Sequence, residues 1–303
     1  MKIVISGATG LIGKALCKRL YKDYELIAIT RNRARAQKVL DGLAEVAQWD
    51  ARSTGTWSEH IDGAFAVINL AGENIGTGYW TKTKKQRVLQ SRLDVSGALL
   101  EAVNDAVNKP EVVIQASAIG YYGNRGVEEL DENTSAGEGF LTGVCRSNEA
   151  FAVKFEEAGC RCVIIRTGVV LDAAGGALPK LMFPFKFFLG GHAGSGKQWF
   201  SWMSIDDEVS AIRFLIESEG LSGVFNLTAP EPLEMKKFCK ILGRVIKRPS
   251  WTRAPAFALR AAFGDLADEM LLAGQNVLPR NLLNANFEFK HKQVESALRD
   301  ILI

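Results

Sequence analysis

The chain has 303 residues, with 37 Lys and Arg against 34 Asp and Glu, a net charge of 37 − 34 = +3. Hydrophobic residues make up 47% and charged residues 23%, the values of a globular protein with a sizeable core, which exclude disorder, collagen-like repeats and disulfide scaffolds. Near-neutral charge with no long Lys/Arg run gives no nucleic-acid footprint, and no apolar stretch reaches the roughly 18 residues that span a bilayer.

In chain order, short β-rich runs lie at 2–6, 25–30, 44–48, 65–70, 111–116 and 161–167, with helical patterns between several of them, clearest at 11–22, 84–107 and 140–158. In the 84–107 segment Val88, Leu89, Leu93, Leu99, Leu100, Val103 and Val107 form one apolar stripe. This alternation predicts an α/β fold with a parallel sheet covered on both faces. After residue 170 the texture changes. Gly, Pro and aromatic residues crowd 175–205, a helix follows at 207–218 with Asp206 and Asp207 as its caps, and a strand at 223–227 is expected to rejoin the sheet. The expected organisation is a first domain over 1–170, completed by the strand at 223–228, and a smaller substrate-binding lid over 171–303. The five cysteines (Cys17, Cys145, Cys160, Cys162, Cys239) are odd in number and match no zinc spacing, and His60, His192 and His291 are dispersed. No metal site is expected, and the thiols read as small core residues of a reducing compartment. The first strand begins at Lys2 with no leader-like apolar region, so the expected location is the cytoplasm.

The strongest motif is Gly7-Ala8-Thr9-Gly10-Leu11-Ile12-Gly13, which follows the first strand directly and opens a helix. In that context Gly7 permits a tight turn, Gly10 lets backbone approach a pyrophosphate, and Gly13 lets helix pack on strand. The N–H groups of a helix start and its dipole then favour phosphate. The second strand ends in Ile29-Thr30-Arg31-Asn32-Arg33, with no carboxylate to bind a ribose 2′-OH. Arg31 and Arg33 can instead pair with a 2′-phosphate, so NADP (as NADPH) is the expected cofactor. Asp50, after the third strand, either faces the adenine or caps a turn.

The chain resembles the extended short-chain dehydrogenase/reductase superfamily, and within it the atypical branch of nucleoside-diphosphate-sugar epimerase-like proteins. The likeness covers nearly all of the chain. It rests on the glycine motif together with Asn69-Leu70-Ala71-Gly72-Glu73-Asn74, Ser91-Arg92, Ala118-Ile119-Gly120-Tyr121-Tyr122-Gly123, Arg166-Thr167-Gly168-Val169-Val170-Leu171 and the Gly194–Trp202 segment. The resemblance implies a Rossmann-type doubly wound sheet with the cofactor lying across the strand ends. Leu70, Ala71 and Gly72 would touch adenosine ribose and pyrophosphate, Arg92 would face the cofactor, and Arg166 to Val170 would line the nicotinamide end.

One departure bears on chemistry. Typical members carry Tyr-x-x-x-Lys on the helix after the fifth strand, Tyr moving the proton and Lys holding the ribose. Here Leu141 falls in the Tyr slot and Cys145 in the Lys slot, residues that cannot do either job and that, at i and i+4 with Val144 and Phe151 on one apolar face, read as plain core residues. The usual catalytic Ser is matched by Ser117 or by Ala118, depending on one inserted residue. Tyr121, Tyr122 and Ser117 are the candidates to handle the proton, with Glu73 or Asn74 able to polarise a carbonyl, to shuttle a proton, or only to hydrogen-bond within the cofactor-binding loop. The Gly191–Lys197 segment nearly fits a nucleotide-triphosphate loop but is followed by Gln198 and is better read as a lid bend. Gln198, Trp199 and Trp202 then either face the pocket or fill the core. The expected function is an NADP-binding, epimerase-like oxidoreductase acting on a small carbonyl or hydroxyl molecule, sugar-nucleotide-like or otherwise. The alternative is a non-catalytic NADP(H)-binding sensor.

Overall fold

The computed structural model describes residues 1–303. Its central sheet has seven strands, β1 (Lys2–Ser6), β2 (Glu25–Thr30), β3 (Glu45–Gln48), β4 (Ala66–Asn69), β5 (Val112–Ala118), β6 (Arg161–Thr167) and β7 (Gly223–Leu227). All neighbours run parallel, in the order β7-β6-β5-β4-β1-β2-β3. The helices that matter for the site are α1 (Leu11–Leu20), α2 (Arg33–Leu40), α3 (Lys82–Asp105), α4 (Phe140–Glu149), α5 (Phe151–Glu157), α6 (Leu178–Lys186), α7 (Ile205–Glu217) and α8 (Met235–Val245).

The two-residue period of the strands sorts the apolar side chains to two faces. Ile3, Ile5, Leu26 and Ala28 pack with Leu16 and Leu20 of α1 and with Ile212 and Leu215 of α7. Val4, Ile27 and Ile29 pack on the other face with Val95, Leu99 and Val103 of α3 and Phe155 of α5. A third core, from the second half of the chain, gathers Phe185, Trp202, Phe238 and Leu242 with Ala297 and Leu298. No helix is long and apolar enough to cross a membrane, and all five cysteines are free and buried.

The chain lays β2 and β3 on one side of β1 and β4 to β7 on the other. Reversal of strand order at β1/β4 opens a crevice at the carboxyl ends of these strands. Gly7 stands at its floor with φ +73°, where a Cβ would come within 2.7 Å of the Leu70 carbonyl. Gly13 lies where a Cβ would be 2.4 Å from Gly7 O, so helix and strand close only over glycine.

Some local expectations are corrected. The long segment after β5 breaks at Ala150 into α4 and α5. Val107 is 87% exposed, beyond the end of α3, and leaves the stripe. The cap of α7 is Ser204, whose Oγ accepts from Asp207 N at 3.0 Å. Asp207 instead accepts from Lys290 N and His291 N, at 2.7 and 3.1 Å, tying the tail to the sheet. Trp202 is fully buried, with its Nε1 donating to Glu231 O, and Gln198 donates to Ala193 O and Leu271 O, so both serve the core and loops.

One buried acid gives the fold a pH dependence. Glu208, in the first turn of α7, is fully buried. Thr167 Oγ1 donates to its Oε1 at 2.8 Å, while Oε2 has no partner. Burial pushes its pKa up to about 8, against the opposing Thr167 hydrogen bond. A raised folded-state pKa means that the proton stabilises the native state. This contribution is fully present below the unfolded value, roughly 4.3, and is lost as pH rises through about 8. Urea denaturation of the wild type should show stability declining from pH 5 to 8, by at most about 1.4 kcal/mol per unit from this group. Glu208→Gln should flatten that decline; an unchanged slope would contradict the assignment.

Candidate functional site

The crevice holds two adjoining cavities that share Leu70 and Ala71. The first, about 660 Å³, runs from the end of β2 across the glycine turn to the loop after β4. Gly7, Thr9, Gly10, Thr30, Arg31, Asp50, Leu70, Ala71, Gly72 and Glu73 all line it. Leu11, Ile12 and Gly13 do not. Leu11 and Ile12 instead begin α1, and their backbone N–H groups have no acceptor within the protein, since the first local bonds are Gly10 N to Gly7 O and Lys14 N to Gly10 O. Free donors over a glycine floor are the geometry with which helix starts hold anions.

Arg31 lines the cavity together with Arg35, and Arg33 does not. Asn32 caps α2 by accepting from Arg35 N at 2.9 Å, which sets the helix phase. Successive helix residues turn by about 100°, so Arg33 and Arg35 cannot face the same way. Asp50 lies on the cavity wall, but its carboxylate serves its own turn. Oδ1 accepts from Arg52 N and Ser53 N, at 2.8 and 2.9 Å, and Oδ2 from Ser53 Oγ at 2.8 Å. The Ser53 and Arg52 N–H groups hold its pKa down to about 2. Glu73 is paired with Lys84 at 2.7 Å, and that hydrogen bond lowers its pKa.

The second cavity, about 220 Å³, is lined by Ser117, Asn148, Thr167, Val169 and Arg92 among mainly apolar neighbours. Leu141 and Cys145 also line it, so the two substituted positions face the pocket rather than the core. Burial raises the Cys145 pKa and keeps the thiol protonated, with Sγ donating to Ala118 O at 3.7 Å. Burial lowers the Arg92 pKa, with Cys145 and Glu73 opposing.

Tyr121, Tyr122 and Arg166 do not line either cavity. Tyr122 is fully buried, donates to Asn226 Oδ1 at 2.7 Å and accepts from Arg166 Nη1 at 3.0 Å. Burial raises its pKa to about 12, although Arg166 and Asn226 pull the other way. Tyr121 lies under the Arg166 guanidinium, 3.4 Å from its ring centre. Arg166 is 3% exposed and forks onto Glu149, with Nε to Oε1 at 3.0 Å and Nη2 to Oε2 at 2.8 Å. Burial alone would lower the Arg166 pKa; Glu149 and Tyr122 outweigh it and raise the value. The expectation of Tyr122 as a catalytic tyrosine and of Arg166 on the cavity wall is therefore corrected: the two satisfy one another inside the protein, while Tyr121 is half-buried, off both cavities, with its ring against Arg166. Of the three proton-handling candidates only Ser117 faces a cavity, and its Oγ donates to Glu149 Oε1 at 2.5 Å.

Sequence reasoning missed Glu149 as the hub of this network, Arg35 on the cofactor side, and Glu269 and Gln275, which reach the second cavity from the far end of the chain. Glu269 accepts from Phe140 N and Leu141 N at 2.9 and 2.8 Å, supplying the start of α4 with the cap that Gly139 lacks. The bare Gly139 before a helix was the available signal.

Residues 3–154 match the NAD-dependent epimerase/dehydratase family, and residues 254–301 match a domain of unknown function, DUF1731. The chain belongs to the NAD-dependent epimerase/dehydratase family. It is 38% identical over 312 residues to the chloroplastic epimerase family protein SDR39U1 homolog of Arabidopsis thaliana, covering 100% of this chain and 87% of that protein. It is 41% identical over 298 residues to epimerase family protein Mb2239 of Mycobacterium bovis, covering 98% and 96%. Among solved structures, human epimerase family protein SDR39U1 (isoform 2), crystallised with NADPH, superposes with a TM-score of 0.86 at 29% identity over 99% of each chain. UDP-glucuronic acid 4-epimerase of Bacillus cereus, at 17% identity and a TM-score of 0.80 over 99% and 98% of the chains, shares the fold.

The buried network of this family member makes a stability prediction. Arg166→Met strands the Glu149 carboxylate and should cost about 3–5 kcal/mol. Tyr122→Phe leaves Asn226 and Arg166 each one partner short and should cost about 1–3 kcal/mol. Chemical denaturation reads both; a loss below about 1 kcal/mol for Arg166→Met would contradict the network.

Proposed function

We propose that the protein is an NADP(H)-dependent oxidoreductase of epimerase type, acting on a small carbonyl or hydroxyl substrate. The reading is carried by Arg31 and Arg35, which line the first cavity beside the end of β2, where that strand presents no carboxylate. The human relative crystallised with NADPH supports the same cofactor. The fit is good at the phosphates too. Gly7, Thr9 and Gly10 with the N–H groups of Leu11 and Ile12 would hold the pyrophosphate, Thr30, Arg31 and Arg35 the 2′-phosphate, and Leu70 to Gly72 the adenosine ribose. Val169 and Ser117 would border the nicotinamide end. Asp50 and Glu73 would stay wall residues, one closing a turn and one holding Lys84. The five buried free thiols fit a reducing compartment, for which we propose the cytoplasm, and residues 171–303 would act as the substrate lid.

Bound there, the nicotinamide would supply or accept hydride at C4. Ser117 would hold the reacting oxygen. Its proton rests on Glu149, so it would accept from a substrate hydroxyl as it stands, and by turning that proton toward the cavity it would donate to a substrate carbonyl. Arg166 pairs with Glu149, and the paired carboxylate sets the resting rotamer of Ser117. The family's Tyr and Lys positions, as Leu141 and Cys145, give shape and no charge. That absence is also the observation favouring a second reading, a sensor that binds NADP(H) without turnover.

Fluorescence titration should find NADPH bound at least tenfold more tightly than NADH, with Arg31→Ala removing most of the preference; equal affinities in the wild type would overturn the cofactor assignment. On a panel of small carbonyl compounds the wild type should oxidise NADPH. Ser117→Ala should lower turnover about 10- to 100-fold, the worth of roughly 1–3 kcal/mol of hydrogen bonding, with NADPH affinity kept within threefold. Binding without oxidation of NADPH by any compound would favour the sensor.

A further inference from the structure

The second cavity has two charged side chains on its wall, Arg92 and Glu269. Both Glu269 oxygens are engaged by the first N–H groups of α4. Arg92 is different. Its Nη1 donates to Val88 O at 2.8 Å and, more loosely, to Glu73 O at 3.4 Å, and both acceptors are neutral carbonyls. Its Nε and Nη2 make no hydrogen bond to the protein, and no carboxylate pairs with it. The guanidinium packs against Gly72, where a Cβ would lie 3.0 Å from Cζ, so the glycine leaves it room at the junction of the two cavities. A partly buried cation with no carboxylate in direct contact, facing a mainly apolar cavity, is an unmet demand for an anion.

Building on the NADP(H) reading of the adjoining cavity, we infer that Arg92 is the anchor for a carboxylate on the substrate, and that the substrate class is short-chain oxo or hydroxy acids. A planar fork of donors matches a carboxylate through two parallel hydrogen bonds. The cavity, about 220 Å³ against about 660 Å³ for its neighbour, is small, which suits a molecule of a few carbons. A nucleoside diphosphate carries at least two charges, and this wall offers one free cation. Ser117 is on the same wall, so one acid can place its carboxylate on Arg92 and its hydroxyl or carbonyl oxygen at Ser117. Arg92 thereby moves from the cofactor role that the motif implied to a substrate role.

The test uses the full chain saturated with NADPH or NADP and titrated with pyruvate, 2-oxobutanoate, acetoacetate and lactate, each against its primary amide. Ternary complex formation is read by NADPH fluorescence or by calorimetry. The acids should bind at least tenfold more tightly than their amides. Arg92→Met should abolish that difference while NADPH affinity changes by less than threefold, and Arg92→Lys, which keeps the charge, should retain part of it; melting curves show that the variants are folded. Equal binding of acids and amides, or no binding of either, overturns the proposal. A more than tenfold loss of NADPH affinity in Arg92→Met, with the acid preference intact, assigns Arg92 to the cofactor pyrophosphate and also overturns it. If the wild type binds no NADPH, the cofactor reading fails by itself; acid preference in the free protein that is lost in Arg92→Met would then still support the anchor, and its absence would overturn it.

Discussion

The ion pair between Arg166 and Glu149 is the constraint on which the site depends. Two charged side chains, almost excluded from solvent, are tolerated inside a sheet protein because every side-chain nitrogen of Arg166 and both carboxylate oxygens of Glu149 are hydrogen-bonded. Arg166 spends three nitrogens on Glu149 and the Tyr122 hydroxyl, and Glu149 takes the Ser117 proton in addition. This joins the ends of β5 and β6 to α4 and, through Asn226, to β7. The pair thus fixes the floor of the second cavity. It withdraws a tyrosine and an arginine from chemistry, and it leaves one serine oxygen pointed outward.

The two cavities are made differently. The cofactor side is made of backbone, with glycine permitting close approach, free N–H groups at a helix start and arginines at the rim. The substrate side is made of residues from six separate segments of the chain, including Glu269 and Gln275 from the last 35 residues. The second half of the chain contributes β7, a core of its own around α8, and the cap of α4, so it is physically joined to the sheet.

Most of the sheet was legible in the sequence. A parallel sheet buried on both faces requires near-continuous apolar runs, and Lys2–Ser6, Glu25–Thr30 and Arg161–Thr167 are such runs bounded by glycine or charge. The glycine turn was legible because its spacing has a mechanical cause. The second arginine was misplaced because Arg33 and Arg35 differ only in helix phase, and the phase is fixed by the Asn32 cap. Tyr121 and Tyr122 sit on a single 3₁₀ turn (Ile119–Tyr122), where a small rotation decides between cavity and core. The partners of Arg166 lie 17 and 44 residues away, and no local pattern encodes them. Leu141 and Cys145 looked like core residues because a cavity wall and a core share one apolar vocabulary.

A crystal structure of the complex with NADP tests the central claim most directly, since cofactor placement and network integrity are visible together. The account predicts the 2′-phosphate between Arg31 and Arg35, the nicotinamide at the mouth of the second cavity beside Ser117, and the Tyr122 hydroxyl still bonded to Asn226 and Arg166. A Tyr122 side chain swung out to the nicotinamide, with the Arg166–Glu149 pair opened, would contradict it.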